Sequence, residues 1–196
     1  MVKVALSSVA ALFGTYQIAA NGVAQSIWSM AALVGVSMGP AFITVIGQCM
    51  GAGDQDQAQL YFKKLTRLTV IASLIWNTVI FALTPLLMTF YTIEEGTKEL
   101  TIWLVLVHNV FNAFAYPFAD PLGKGLRATG DVKFTTWISL FTTVGVRLVF
   151  SYVLGVTLEM GVNGIAYAMC LDWLVRGIIF WIRFKSGKWR NFKVLQ

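Results

Sequence analysis

Charge is what this chain of 196 residues has least of: Asp, Glu, Lys and Arg make up 12% of it, and none occurs from Val4 to Gly53. Soluble domains carry about 25% charged residues. With 57% hydrophobic residues and a mean hydropathy of +0.71, the chain has more apolar surface than a water-soluble fold of this size can bury. Histidine is nearly absent (His108 alone), and the two cysteines, Cys49 and Cys170, lie in apolar runs with no CxxC or His-rich company. That excludes a disulfide framework and indicates no metal site; both cysteines read as small packing residues. There is no HExxH, no paired-Asp motif and no GxSxG. An integral-membrane enzyme acting on lipid-like substrates needs such converging groups, so the chain reads as a non-enzyme without a cofactor. The net charge of +6 comes from basic residues at helix ends and in the last fourteen positions. They form no aromatic-interleaved basic face, so nucleic acid is not an expected partner.

What the chain does have is long apolar runs. A crossing takes roughly 20 residues at 1.5 Å each, so Val4–Gly53 is too long for one helix and too short for three. The turn-prone interval Phe13-Gly14-Thr15-Tyr16-Gln17 breaks it, leaving a full span from about Ala20 to Met50. The preceding Met1–Phe13 is too short to cross alone and lacks a signal peptide's basic start and cleavage context, which implies a chain that begins partway through a helix. Further spans are Leu68–Tyr91, about Leu100–Leu122, Phe134–Leu158 and Val162–Ile182. If they alternate, one side receives Lys63, Lys64, Arg67, Lys124, Arg127, Lys133, Arg183, Lys185, Lys188, Arg190 and Lys193; the other receives Lys98 among Glu94, Glu95, Glu99 and Glu159. The positive-inside rule makes the first side cytoplasmic. The reading is an all-α integral protein of the plasma membrane, with the lipid bilayer as partner and residues 183–196 as a basic cytoplasmic tail.

The stretch Tyr116–Phe134, YPFADPLGKGLRATGDVKF, is the clearest turn between crossings, and it echoes an earlier one. Pro40 precedes Asp54 by fourteen residues, as Pro117 precedes Asp131. In both Gly-Asp pairs the glycine suits a permissive turn and the aspartate an N-cap. Repeated helix pairs of this kind are common in transporters.

Ionisable side chains at membrane depth cost about 2.5–3.5 kcal/mol each on insertion scales and therefore face protein or a water-filled cavity. Lys3, Asp120, Arg147, Asp172 and Arg176 qualify. Asp172 and Arg176 are four apart on one helix and read as a structural pair. His108 or Asn109, Asn112, Tyr116 and Asp120 recur every three to four residues, a polar stripe suited to a cavity wall. Pro117 and Pro121 each remove a donor at its end and mark a site for bending. Asp120 is suited to hold a proton, to attract a cation, or to pair with Arg127 or Lys124. His108 is the group suited to titrate near neutral pH, or to pack through a hydrogen bond. Arg147 needs a partner, either a carboxylate or helix-end carbonyls. Gln17, Asn21, Gln25, Thr44 and Gln48 add uncharged hydrogen-bonding groups, part substrate contact and part helix glue.

The segments GTYQIAANGVAQS, GQCMGAGDQDQA, GLRATGDVKFT and LDWLVRGIIFWIRFKSGKW, in that order, resemble the C-terminal half of the multidrug and toxic compound extrusion (MATE) family, and more narrowly members from Gram-positive anaerobic bacteria. The resemblance implies a twelve-helix protein of two six-helix lobes, of which this chain, N-terminally truncated, supplies the end of helix seven and helices eight to twelve. It implies exchange of Na⁺ or H⁺ for small organic, often cationic, substrates moved outward by alternating access, and an absent N-terminal lobe as partner. It also places Lys3 near midmembrane, facing the central cavity. Related architectures leave open a lipid or oligosaccharide flippase, or a non-transporting membrane fragment.

Overall fold

The computed structural model describes residues 8–91 and 93–192, and among them every regular element is helical. After a short 3₁₀ turn, Ala11–Phe13, the chain breaks at Gly14 (φ +85°), where the polar interval predicts a break. Helices α1 (Thr15–Ala31) and α2 (Leu33–Gly51) follow. Hydrogen bonding continues across Ala32: its N–H donates to Trp28 O and Val36 N–H donates to its carbonyl, both at 2.9 Å. The expected span Ala20–Met50 is therefore divided in two, and of the two pieces only Leu33–Gly51 is long and apolar enough to cross a membrane by itself.

Helix α3 (Gln55–Met88) begins thirteen residues before its charge-free run, so Lys63, Lys64 and Arg67 ride on its first turns rather than in a loop. Helices α4 (Glu95–Phe114) and α5 (Tyr116–Ala128) form one bent crossing, with an angle of 55° between them. Pro117 and Pro121 supply the reason, since neither can donate to the carbonyl one turn earlier. Helix α6 (Val132–Thr157) contains two wide π-helical stretches, Thr142–Leu148 and Val153–Thr157, and α7 (Val162–Lys185) closes the bundle. Counting the bent pair once, five segments are membrane-length, as the five apolar runs predict.

The repeated Gly-Asp turns share their glycine and differ in their aspartate. Gly53 (φ +75°) and Gly130 (φ +96°) both occupy left-handed backbone that only glycine adopts without strain. Asp54 caps α3 by accepting from Gln57 N–H at 2.9 Å. Asp131 stands at the N-cap of α6 but makes no cap bond; its carboxylate instead takes both nitrogens of a fork from Arg183, at 2.7 and 3.2 Å. The N-cap expectation is thus corrected at Asp131, because a guanidinium makes a stronger, charge-assisted partner than a backbone amide.

Helix α1 lies along α4, α2 along α3 and α5, and α7 along α5 and α6. One core gathers at the basic end, around Phe42, Ile46, Phe62, Leu126, Phe180 and Trp189; a second fills the other end around Ala24, Ile27, Met88 and Leu104. Outside, Leu68, Ile75, Leu86, Trp137, Phe141, Ile178 and Ile182 are exposed. A soluble monomer rarely shows apolar surface on this scale, and a bilayer solvates it. Of the expected tail, residues 183–192 are described: Arg183 and Lys185 belong to α7, and Lys188–Asn191 form a 3₁₀ turn in which Trp189 is completely buried. Arg190 then bonds Asp56 (3.2 Å) and Gln59 at the start of α3.

Candidate functional site

Between the two cores lies a layer of aromatic and polar side chains. The 55° bend divides the stripe predicted for one helix face. His108, Asn109 and Asn112 stay on α4 and are buried, the asparagines against Asn77 of α3 and the histidine near Trp28 of α1, whereas Tyr116 turns toward α2 and α7. Asn112 donates to Asn77 Oδ1 (3.1 Å), and Asn109 donates to the Asn77 carbonyl (3.5 Å). His108 Nδ1 sits 2.7 Å from Leu104 O. A carbonyl only accepts, so Nδ1 carries a proton and Nε2 is the ring nitrogen left to other partners. That Nε2, Trp28 Nε1, Asn109 Oδ1 and Asn112 Oδ1 are all buried without a hydrogen-bond partner. Such groups are rare in native proteins and mark places where water or a ligand completes the bonding.

Aromatic rings carry this layer across the bend. Trp28 of α1 lies 6.1 Å from the His108 ring and stacks on Trp173 at 5.5 Å; Tyr116 meets Trp173 edge-on at 5.3 Å. Below Tyr116, Lys124 Nζ bonds Asp120 Oδ2 at 2.7 Å, with about 30% of each side chain accessible (31% and 27%). Of the two partners the sequence offers Asp120, Lys124 is the one it takes. Glycines of α2 make the room: a Cβ on Gly35 would come within 2.6 Å of the Tyr116 ring, and one on Gly39 within 2.6 Å of Lys124 Nζ. A larger residue at Gly35 would have to displace the Tyr116 ring, whereas one at Gly39 would evict the flexible Lys124 stem.

A second ion pair stands between α6 and α7. Arg176 holds both oxygens of Asp172 (2.6 and 2.7 Å) and bonds Thr142 and Thr143 in the π-helical part of α6 (2.9 and 2.7 Å). Arg147, in the same π stretch, does not obtain the carboxylate or helix-end carbonyls expected of it. Its closest hydrogen-bond partner is Met169 Sδ at 2.9 Å, and its Nε has none. Asp172, the acid of that layer, is bonded to Arg176 instead.

The remaining predicted residues scatter. Asn21 and Gln25 are half-buried on α1 and Gln48 is exposed on α2, away from the aromatic layer, while Gln17 is glue: it accepts from Val162 N–H (3.1 Å) and caps α7. Lys3 lies outside the described residues. Asn77, Trp28 and Trp173 are residues the sequence reading misses. For Asn77 the signal was present, since Thr66, Thr69, Ser73, Asn77 and Thr84 recur at helical spacing and are all buried.

A family model described as MatE matches residues 1–153. The chain belongs to the MatE family. Two proteins of that kind show the distance: "Uncharacterized transporter YisQ" of Bacillus subtilis (strain 168) is 25% identical over 186 residues, 91% of this chain and 39% of that one. "Protein DETOXIFICATION 33" of Arabidopsis thaliana is 25% identical over 191 residues, 93% of this chain and 38% of that one. The fold superposes on a crystal structure of MATE in complex with MaL6 with TM-score 0.86 and 20% identity, covering 100% of this chain and 44% of that one. An outward-facing multidrug resistance MATE family transporter of the MOP superfamily gives 0.75 and 22%, over 100% and 44%. The chain thus spans about two fifths of the length of these MatE relatives. It is an integral membrane protein with the fold of part of a MATE transporter.

Proposed function

We propose that this chain is part of a secondary active transporter that moves small organic, often cationic, compounds out of the cell in exchange for Na⁺ or H⁺, by alternating access together with a second lobe. Membership in the MatE family supports transport; the relatives' greater length supports the second lobe. The observation that carries the coupling reading is the Asp120–Lys124 pair, seated at a bend and against Gly39. A proton or Na⁺ arriving at Asp120 replaces the attraction that holds Lys124. Lys124 then leaves the Gly39 cradle, and the α2–α5 contact loosens. Binding an ion at one end of the bent helix is thereby converted into a change of helix packing, with differential ion affinity for the two packings as the driving force.

In this reading His108, Asn109, Asn112 and Tyr116 form the wall along which cargo or water passes, and the basic end of the bundle, with the C-terminus, faces the cytoplasm of a plasma membrane. The test is Asp120→Asn in the complete transporter. Ion-coupled efflux of an ethidium-like dye is expected to fall, while thermal stability in detergent changes by no more than about 1 kcal/mol because the pair is partly solvated. Unchanged dye efflux at normal expression removes Asp120 from the mechanism.

A further inference from the structure

An apolar groove of about 360 Å³ runs between the bend and α7, lined chiefly by Phe114, Phe118, Trp173, Leu174, Ile178 and Trp181. That volume falls within the roughly 300–1,000 Å³ of small-ligand sites. From Trp173 to Trp181 it follows α7 for about 12 Å at 1.5 Å per residue. Its last aromatic, Trp181, carries Lys185 one turn on, with Nζ 5.4 Å from the ring centroid. The charges around this mouth are unequal. Arg183 is tied to Asp131 and Arg190 to Asp56, whereas Lys185 and Lys188 are exposed and take part in none of the ion pairs among the described residues.

We propose that this groove holds one acyl chain of an anionic phospholipid, with the headgroup phosphate at Lys185. The wall offers an occupant almost nothing but carbon and aromatic faces, which suits a hydrocarbon chain. The mouth offers an ammonium at the level where interfacial tryptophans meet lipid headgroups, which suits a phosphate. The groove shares Trp173 with the aromatic layer, but its occupancy by lipid does not rest on the transport reading. Occupancy would brace α7 against the bend and make the packing of this helix depend on lipid composition.

The test is quenching of tryptophan by brominated lipids in the reconstituted protein, taking the difference between the natural sequence and Trp181→Phe as the signal of Trp181. Brominated phosphatidylglycerol is expected to quench Trp181 at about one fifth of the mole fraction needed by brominated phosphatidylcholine, the factor a single lysine contributes near an anionic headgroup. Trp103, exposed on α4, is read in the same way through Trp103→Phe and should respond equally to both lipids. Lys185→Gln should bring the two lipids level at Trp181. Ile178→Phe fills the rim and should reduce the total quenching by phosphatidylglycerol. Equal quenching by both lipids at Trp181, a preference that survives Lys185→Gln, or no quenching of Trp181 at all would each overturn the proposal. The first would mean ordinary boundary lipid, the last a groove covered by protein.

Discussion

Two acid–base pairs in this molecule have the same spacing and opposite character. Asp172 and Arg176, four apart on a regular helix, meet through one guanidinium nitrogen that reaches both carboxylate oxygens, the guanidinium also bonds two threonine hydroxyls of the neighbouring helix, and the aspartate is 1% exposed. Asp120 and Lys124, also four apart, share one bond at a helix bend, and both side chains are partly exposed. Helical spacing brings acid and base together in either case; what the surroundings add decides whether the pair is fixed or can be exchanged. Arginine supplies five donors in a planar fork, so it can satisfy an acid and a second helix at once, whereas the lysine ammonium is a point charge on a flexible stem. The first pair joins α6 to α7, and the second lies where an arriving ion can compete.

The sharpest way to break this contrast is to remove a partner from the fixed pair. Asp172→Ala leaves Arg176 and, beside it, Arg147 without a carboxylate in a buried layer. The expected loss is about 3–5 kcal/mol, the cost of an uncompensated buried charge. Thermal unfolding in detergent should show a large drop, or the protein should fail to elute as a single species. A change as small as that expected for Asp120→Asn would mean that both pairs are equally dispensable to the fold.

Asp131 and Arg183 form an intermediate case. The acid is 2% exposed, but Arg183 lies 4.4 Å from the Phe134 ring and 5.9 Å from the Phe192 ring, so it keeps favourable partners when the carboxylate goes. Asp131→Ala should cost about 2 kcal/mol, the usual worth of hydrogen bonds to a charged group. The same melting experiment reads it, and a loss as large as that of Asp172→Ala would show that the aromatic faces contribute nothing.

The fixed pair was legible in the sequence because i, i+4 spacing on one unbroken helix determines which side chains meet. The five crossings were legible for a similar reason: the length of an apolar run is a one-dimensional property. The polar stripe from His108 to Asp120 was legible only in part. Its spacing is helical throughout, but Pro117 and Pro121 turn the axis by 55°, so residues on one line in sequence face two different neighbours. Sequence marks the prolines but does not state which way the axis turns. Arg147 was misread because a partner depends on competition. Asp172 is bonded to Arg176, which Thr142 and Thr143 of another helix hold in place. Within the stretch read as a basic tail, the fold-back of Trp189 into a core that residues 42–62 also build was not legible, because it depends on distant residues.

The smallest effect expected is at the opposite end of the bundle, where Lys98 Nζ bonds Glu95 Oε1 at 2.7 Å on the first turn of α4. Its distance equals that of the Asp120–Lys124 bond, yet the glutamate side chain is 85% exposed. Solvent and salt screen such a pair, and the entropy of holding two long side chains offsets most of the attraction, so Glu95→Gln should change stability by no more than about 0.5 kcal/mol. It should also leave dye efflux untouched, since no helix contact depends on it. If Glu95→Gln lowered efflux as much as Asp120→Asn, bond length and charge alone would account for both, and the bend with its Gly39 cradle would lose its place in the coupling step.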